Sequence, residues 1–311
     1  MPMRLVLVSL LLLTACSGAF DTRDEDFAIP TAPSTQAPPP GPTAPSRPMR
    51  PTYATERRTS TRAYAKVHSG DGYSCAIDDR GAVDCWGSTP PRPQWSVDEL
   101  AVRDKTVCSL TRAGALQCWG DIEGWIPPDV GPLHALGMGY RFACALDAED
   151  KPRCWGPAAP DAPDEAFESL AVGWSHACGL RADGAVSCWG DARAIARTPA
   201  PPATFTQLAL GGLLSCALDD AGNVTCWGDM LGYAPSAPMK RVSTGNGIAC
   251  GVREDDDTLT CWGSNVARLF SSPAGYYEDV SVGTDHACAV RMFDRKVVCW
   301  GADDEGQASP P

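Results

Sequence analysis

The chain has 311 residues and a formal net charge of −12 at pH 7. Phosphate backbones repel a protein of this charge, so nucleic acid is not an expected partner. The sequence contains none of the motifs H-E-x-x-H, G-x-S-x-G or G-x-x-x-x-G-K-[ST]. We therefore expect no cofactor and a protein that is not an enzyme.

Residues 1–15 are a predicted signal peptide. Arg4 precedes an apolar run from Leu5 to Ala15, which is too short to span a bilayer comfortably. The run ends in Leu13-Thr14-Ala15-Cys16, which resembles the bacterial lipobox. The resemblance implies that Cys16 is lipidated and becomes the first residue after cleavage. The alternative is a plain secretion signal with an incidental Cys, but an unpaired Cys in an exported protein invites oxidation.

The segment from 16 to 62 is predicted to be a disordered tether that begins at the lipidated Cys. Residues 30–51 contain nine prolines, and such a composition cannot bury a core. Ser17 stands where lipoproteins retained at the inner membrane usually carry Asp. An exported, lipid-anchored envelope protein is therefore expected, with the outer membrane favoured.

Seven Cys-Trp-Gly phrases follow at a mean interval of about 36 residues, which is typical of stacked supersecondary units. Short alternating runs such as Leu170/Val172 and Leu208/Leu210 indicate β-strands rather than helices. Six repeats carry a Gly five residues before their first Cys, and Arg103 is the exception. Glycine there permits either a positive φ or a close backbone approach.

Each Cys-Trp-Gly follows another Cys by ten or eleven residues, with a predicted hairpin between the two cysteines. A three-residue loop ending at Gly81, and equally at Gly114, Gly184 and Gly222, would place the cysteines directly opposite one another. In an oxidising compartment such pairs become disulfides. The expected pairs are Cys75–Cys85, Cys108–Cys118, Cys144–Cys154, Cys178–Cys188, Cys216–Cys226, Cys250–Cys261 and Cys288–Cys299. Isolated pairs of this kind are poor zinc sites, because structural zinc needs four ligands together.

The repeated phrase resembles the RCC1-type repeat of the regulator-of-chromosome-condensation superfamily. His176, Cys178, Leu180, Gly184, Val186 and Cys188-Trp189-Gly190 carry the likeness, as do His286, Cys288 and Cys299-Trp300-Gly301. It implies an all-β fold, a seven-bladed β-propeller over residues 63–311. The last blade has few residues of its own after Cys299, so we expect it to borrow a strand near 61–66.

Several side chains are candidates for binding or chemistry. His176 and His286 occupy a position that holds Leu214 and Ile248 in other repeats, which indicates packing. The repeat Trp residues are expected to pack between blades. Trp95, Trp125 and Trp174 break the repeat pattern, and they are the candidate interface residues, with ordinary packing as the alternative.

The favoured function is a monomeric, non-enzymatic interaction scaffold. It would present one face of the propeller to a protein or polysaccharide partner and remain attached to the membrane through its lipid anchor. The alternative from another class is an envelope enzyme, a lyase or hydrolase, with its site on the central face. Guanine-nucleotide exchange, known from the family, conflicts with export from the cytoplasm. Fold alone does not decide among these.

Overall fold

The structure is a computed structural model that describes residues 58–88, 95–123, 125, 129, 131–191, 200–212, 214–228, 234–269 and 271–311. The chain divides into two compact units, Met1–Pro48 and Met49–Pro311, and the described residues all lie in the second. The predicted signal peptide, Cys16 and the tether up to residue 57 lie outside the described residues. Within the described part, no helix is long and apolar enough to cross a membrane.

Seven antiparallel sheets form the seven blades that the repeats predict. Blade 1 contains β2 (Lys66–Ser69), β3 (Tyr73–Ile77) and β4 (Val83–Gly87); blade 2, β5 (Glu99–Arg103), β6 (Thr106–Leu110) and β7 (Leu116–Gly120); blade 3, β8 (His134–Gly139), β9 (Phe142–Leu146) and β10 (Pro152–Trp155). Blade 4 contains β11 (Ser169–Val172), β12 (His176–Leu180) and β13 (Val186–Gly190); blade 5, β14 (Gln207–Leu210), β15 (Leu214–Leu218) and β16 (Val224–Gly228). Blade 6 contains β17 (Met239–Thr244), β18 (Ala249–Arg253) and β19 (Leu259–Trp262); blade 7, β20 (Tyr277–Val282), β21 (His286–Arg291), β22 (Lys296–Gly301) and β1 (Arg58–Ala63). A 3-10 helix spans Val266–Leu269.

The first repeat strand of each blade faces the propeller axis. The first repeat strands of blade 1 and of blades 3 to 7 line a central channel of about 490 Å³. Because an inner strand is a sheet edge, its backbone needs partners outside its own blade. Side chains of the preceding blade supply them: Ser281 Oγ accepts from Ser69 N at 2.8 Å, and Ser243 Oγ accepts from Val282 N at 3.0 Å.

The hairpins between the paired cysteines have the predicted register. Cys75 lies opposite Cys85, and the turn glycine Gly81 has a φ of 81°. All seven predicted disulfides form, with Cα–Cα separations of 4.0–4.1 Å. In the two longer hairpins the extra residue lies in the loop, and Asp257 and Arg295 take the positive φ there.

The Cys-Trp dipeptide joins neighbouring blades. Successive residues of a strand point to opposite faces, so the Cys faces the next blade and the Trp faces the previous one. Trp300 of blade 7 accordingly packs with Cys250 and Cys261 of blade 6. Trp86 of blade 1 packs with the blade 7 pair, Cys288 and Cys299, and this contact closes the ring. The predicted packing of the repeat Trp residues between blades is confirmed.

Strand β1 completes blade 7, as the sequence predicts. It pairs antiparallel with β22, with Arg58 opposite Cys299 and Ala63 opposite Lys296. Ser60 Oγ accepts from Val297 N at 2.9 Å. The propeller therefore includes residues before the boundary expected at 63, because β1 begins at Arg58.

The fourteen paired cysteines give a direct chemical test of this architecture. Alkylation of the denatured, unreduced mature protein is expected to label none of them, because each sulfur is bonded across its hairpin. Mass spectrometry after digestion reads each site. Labelling at two or more of these cysteines would contradict the seven-bridge structure.

Candidate binding face at the channel mouth

One short turn in each blade differs from copy to copy. It joins the first and second repeat strands, so the turns follow the strands that line the channel and lie at one of its ends. The second residue of each turn, one from every blade, belongs to a set that we call the turn ring. Its members are Asp71, Asp104, Tyr140, Trp174, Gly212, Asn246 and Thr284.

The glycine that opens each turn is required by close approach. A Cβ on Gly211 would lie 2.1 Å from the carbonyl oxygen of Gly245, and a Cβ on Gly245 would lie 1.9 Å from that of Gly283. None of the six glycines has a positive φ. Close approach is therefore the reason that applies: five of the glycines contact backbone of the next blade, whereas a Cβ on Gly70 would meet the side chains of Tyr73 and Val102.

Hydrogen bonds between neighbouring turns hold part of the ring rigid. Tyr140 N donates to Trp174 O at 2.8 Å, Trp174 N to Gly211 O at 2.9 Å, and Gly212 N to Gly245 O at 3.1 Å. Blade 2 departs from the pattern at Arg103: β5 continues through this residue, which pairs with Thr106, and Asp104 takes a φ of 48°. Side chains on such turns are presented from a fixed backbone.

Two aromatic members of the ring stack on each other at the surface. The rings of Tyr140 and Trp174 lie 5.2 Å apart at 15°. Tyr140 is 44% exposed, and Trp174 is half-buried. Exposed aromatic pairs on a rigid surface are typical of binding sites.

Tyr140 also separates two grooves. We call the first the acidic groove; it has a volume of about 430 Å³, and its only charged lining residues among those described are Asp161 and Asp191. The second, the mixed groove, has a volume of about 740 Å³. Its charged lining residues have both signs: Arg103, Lys105 and Arg141 with Asp104, Asp121 and Glu123.

Two carboxylates of the ring lie together on the other side of the mixed groove. Thr284 Oγ1 donates to Asp71 Oδ1, and Asp71 in turn hydrogen bonds to Asp104. Burial raises the pKa of Asp104 to about 7, and the hydrogen bond and charge of Asp71 add to this effect. The arrangement concentrates negative charge at this mouth of the channel.

Two repeats of the chain match a known family. A model of the regulator of chromosome condensation (RCC1) repeat matches residues 167–193 and 277–307, which contain blade 4 and the strands β20, β21 and β22 of blade 7. The chain is a β-propeller that contains RCC1-type repeats. No curated protein sequence matches it.

Solved structures agree with the propeller. The chain is similar to the ectodomain of the Arabidopsis thaliana receptor kinase ACR4, with 24% identity, a TM-score of 0.67, and coverage of 82% of this chain and 99% of that one. It is also similar to the ectodomain of the Physcomitrella patens receptor kinase CR4, with 23% identity, a TM-score of 0.66, and coverage of 77% of this chain and 74% of that one. Prp20p of Saccharomyces cerevisiae is similar with 16% identity and a TM-score of 0.57. The match covers 76% of this chain and 82% of that one. These likenesses show the fold.

The three predicted interface tryptophans occupy different environments in the propeller. Trp95 is half-buried, lies edge-on to Trp119 at 5.6 Å and donates from Nε1 to Ser109 Oγ. Trp125 is half-buried against the core between blades 2 and 3, and it lines the mixed groove. Trp174 lines the acidic groove. Two of the three thus belong to one face.

Sequence reasoning missed Tyr140, which completes the aromatic pair. The sequence does contain a signal for Tyr140. This residue follows Gly139, the glycine that opens its turn, just as Trp174 follows Gly173. Tyr140 matches no repeat consensus, and its stacking depends on the neighbouring blade. Comparing the same position across repeats identifies it.

The two repeat histidines are packing residues, as predicted. His286 Nε2 hydrogen bonds to Ser74 Oγ at 2.8 Å, and His176 Nε2 to Ser215 Oγ at 3.1 Å, in each case across a blade boundary. Burial lowers the pKa of His176. Within the described part of the chain, no group of three or more His, Cys, Asp or Glu residues could hold a metal ion.

We call the hydrogen-bonded carboxyl groups of Asp71 and Asp104 the acid pair. From it we predict that the stability of the protein depends on pH. Asp104→Asn is expected to raise the melting temperature at about pH 8 by a few degrees and to change it little near pH 4. The folded protein holds the Asp104 proton up to a pKa of about 7, against an ordinary 3.8, so wild-type stability falls as pH rises through this window. The charged neighbours Asp71, Arg103 and Asp121 remain in both proteins.

Thermal denaturation at several pH values measures this difference. Asp220→Asn, on an exposed hairpin, makes the same change of charge outside the face and serves as the control. An equal gain from Asp104→Asn at pH 4 and pH 8 would show that the acid pair does not cause the effect.

Proposed function

We propose that this RCC1-type propeller is a non-enzymatic interaction scaffold of the cell envelope, and that its turn-ring face binds the partner. The stacked Tyr140–Trp174 pair carries the proposal. It lies at the surface between two grooves, on turns that hydrogen bond to one another. Rigid aromatic anchors in this setting supply most of the energy of a typical protein interface.

The disulfides indicate where this happens. Seven hairpin disulfides are characteristic of an exported protein, because the cytosol keeps such thiols reduced. The lipobox-like sequence before Cys16 supports a lipid anchor, and Ser17 supports the outer membrane. The proline-rich segment to residue 57 would then act as a spacer between membrane and propeller.

Proteins with a similar fold give limited support. Two of the similar structures are receptor-kinase ectodomains, and the structure of Prp20p is described together with its binding to Gsp1p and histones. Two of these propellers thus belong to receptors, and the third is described with its binding to other proteins. The contact residues of those proteins do not transfer to this chain, since identity is 24% or lower.

Crosslinking and affinity capture from envelope fractions test the proposal. The full chain is expected to capture a stable partner, and Trp174→Ala is expected to reduce the captured amount at least about tenfold, since central aromatic anchors contribute about 2 kcal/mol or more. Phe293→Ala is the matched control, because Phe293 is 81% exposed in the hairpin between β21 and β22, at the other end of its blade.

Two results would contradict this proposal, the first its scaffold role and the second its turn-ring face. One is the absence of any stable partner together with turnover of a small molecule or glycan, which would favour the envelope enzyme. The other is capture that Phe293→Ala reduces and Trp174→Ala leaves unchanged. That result would place the interface on the hairpin end.

A further inference from the structure

We propose that the central channel binds a small organic anion, whose charged group lies between Lys66 and Arg241 and whose apolar part lies beside His68. All three residues belong to the inner strands β2 and β17 and line the channel. None belongs to the turn ring, so the proposed function does not depend on this site. The size of the channel, its two layers of side chains and its charges support the proposal.

The channel has room for a small molecule. Its volume of about 490 Å³ lies in the range that is usual for small-molecule sites, about 300–1,000 Å³. Successive side chains of a strand point to opposite faces, so alternate residues of each inner strand face the channel. In β2 these are Lys66 and His68, whereas Val67 between them packs in the core where the ring closes. The channel wall therefore has two layers of side chains.

The layer nearer the turn ring contains one large side chain, which is His68. The equivalent residues of the other blades, two positions before the residue that opens each turn, are all small: Ala101, Gly137, Ala171, Ala209, Ser243 and Ser281. His68 Nε2 is buried and has no hydrogen-bond partner among the described residues. The imidazole ring therefore borders a space that small side chains leave open, and the hydrogen-bonding capacity of one of its nitrogens is unused.

The second layer contains two positive charges that lack a close carboxylate partner. Lys66 and Arg241 lie four positions before the residues that open their turns, and both side chains are exposed. In the described part of the chain, neither has an ion pair within 4.0 Å.

Asp279 of blade 7 lies between these two cations in the order of the blades, and it accepts from Val67 N at 3.3 Å. Burial raises the pKa of Asp279 to about 6, although the charges of Arg241 and Lys66 act in the opposite direction. Close contact with two cations would keep this pKa low, so Asp279 neutralises them only in part.

The other charges around the channel are balanced by partners within the chain. Glu278 lines the channel, and its Oε1 lies 3.3 Å from Arg295 Nε. Glu99, at the equivalent position of blade 2, accepts from two backbone N–H groups of blade 3 at 3.1 and 2.8 Å. Burial and the charge of Lys66 lower the pKa of His68 to about 4, so this ring is neutral at pH 7. The channel lining thus has an excess of positive charge in a chain whose net charge is −12.

An organic anion suits this lining better than an inorganic ion or a cation. Guanidinium binds a carboxylate through two parallel hydrogen bonds, and ammonium adds a second positive charge. Apolar lining residues such as Leu136, Ala171 and Ala209 can contact a hydrocarbon part, which an inorganic ion does not have. A cation would be repelled by the excess positive charge.

Isothermal titration calorimetry on the full-length mature protein tests the site with benzoate as the probe. Benzoate and benzenesulfonate are expected to bind, because each joins one anionic group to an apolar ring. Benzamide has nearly the shape of benzoate without its charge, and it should bind at least about ten times more weakly. Benzylammonium, which carries the opposite charge, should not bind.

Substitutions in both layers locate the bound probe. Lys66→Gln and Arg241→Gln should each weaken benzoate binding about tenfold. Asp279→Asn should strengthen it about threefold, because it removes a negative charge beside the two cations and keeps an oxygen that can accept from Val67 N. Ala171→Leu should abolish binding without any change of charge, since the larger side chain fills the space beside His68.

Arg112→Gln is the matched control for Arg241→Gln. Arg112 is exposed in the hairpin between β6 and β7, and its substitution removes the same charge outside the channel. Melting temperatures of these two variants and of Lys66→Gln should match the wild type, because all three side chains are exposed.

Three results would overturn the channel site. Equal losses in Arg112→Gln and Arg241→Gln would mean that only net charge matters. Equal affinities for benzoate and benzamide would mean that the two cations do not recognise the anionic group. If neither benzoate nor benzenesulfonate binds, the channel is not a site for organic anions.

Discussion

Deletion of residues 59–66 is expected to lower the melting temperature by about 10 °C or more, since a loss of several kcal/mol shifts a domain of this size by about 2–4 °C per kcal/mol. The deletion removes most of β1 and the hydrogen bond from Val297 N to Ser60 Oγ. It also removes Tyr64, which is 1% exposed and donates to Asp84 Oδ2 at 2.9 Å. Blade 7 would lose its outer strand, and the core where the ring closes would lose a large side chain.

Deletion of residues 20–50 is the control, because it shortens the predicted tether without touching a described residue. It should leave the melting temperature unchanged. Differential scanning calorimetry compares the two deletions with the full chain. Equal effects would mean that β1 does not stabilise the closed ring.

The second large loss of stability is expected when alanine replaces a glycine that opens one of the turns at the channel mouth. A Cβ on Gly245 would lie 1.9 Å from the Gly283 carbonyl oxygen and 2.9 Å from Val282 Cγ1. Backbone of the next blade must move to relieve this contact, so Gly245→Ala should cost about 3 kcal/mol or more. In chemical denaturation, this loss lowers the denaturant concentration at the midpoint of unfolding. The slope of the unfolding free energy against denaturant concentration stays unchanged.

Gly212→Ala provides the comparison within the same set of turns. The nearest atom to its Cβ would be Asn246 Oδ1 at 3.2 Å, which can rotate aside, and the Asn246 Cα at 3.8 Å is at an ordinary contact distance. We expect a loss below about 1 kcal/mol, in line with ordinary surface changes. Similar losses in the two variants would mean that the blades have room to separate at the channel mouth.

The blade framework could be predicted because each repeat carries its own markers of register. Cys75 and Cys85 with Gly81 between them define a hairpin, and the same reasoning applies in every repeat. Contacts within one blade therefore follow from the sequence. The role of Gly245 does not follow from the sequence, because a positive φ and a close approach both favour glycine. Only the distance to the next blade distinguishes these two reasons.

The candidate face was less predictable for a related reason. Trp174 was recognised as irregular, but its stacking on Tyr140 depends on how blades 3 and 4 are oriented. Trp95 was grouped with it although it packs against Trp119. Being outside the repeat pattern does not reveal whether an aromatic ring lies at the surface or under a loop.

The start of the propeller was predicted too late, at 63, because β1 has an unusual sequence. The first five residues of RTSTRA are polar, and only Ser60 is buried. The alternating apolar pattern that marks most strands is absent. Its strand conformation comes from backbone pairing with β22, which a pattern of side chains does not show.

Strand β1 also determines how the domain would respond to mechanical load. Tension applied along the chain before Arg58 reaches the ring through β1, and Arg58 lies opposite Cys299, which is bonded to Cys288 of the adjacent strand. We therefore expect a stepwise response to pulling. Release of β1 from β22 is the first event. Because β1 continues into β2, the load then passes to blade 1, while the Cys288–Cys299 disulfide keeps β21 and β22 of blade 7 joined.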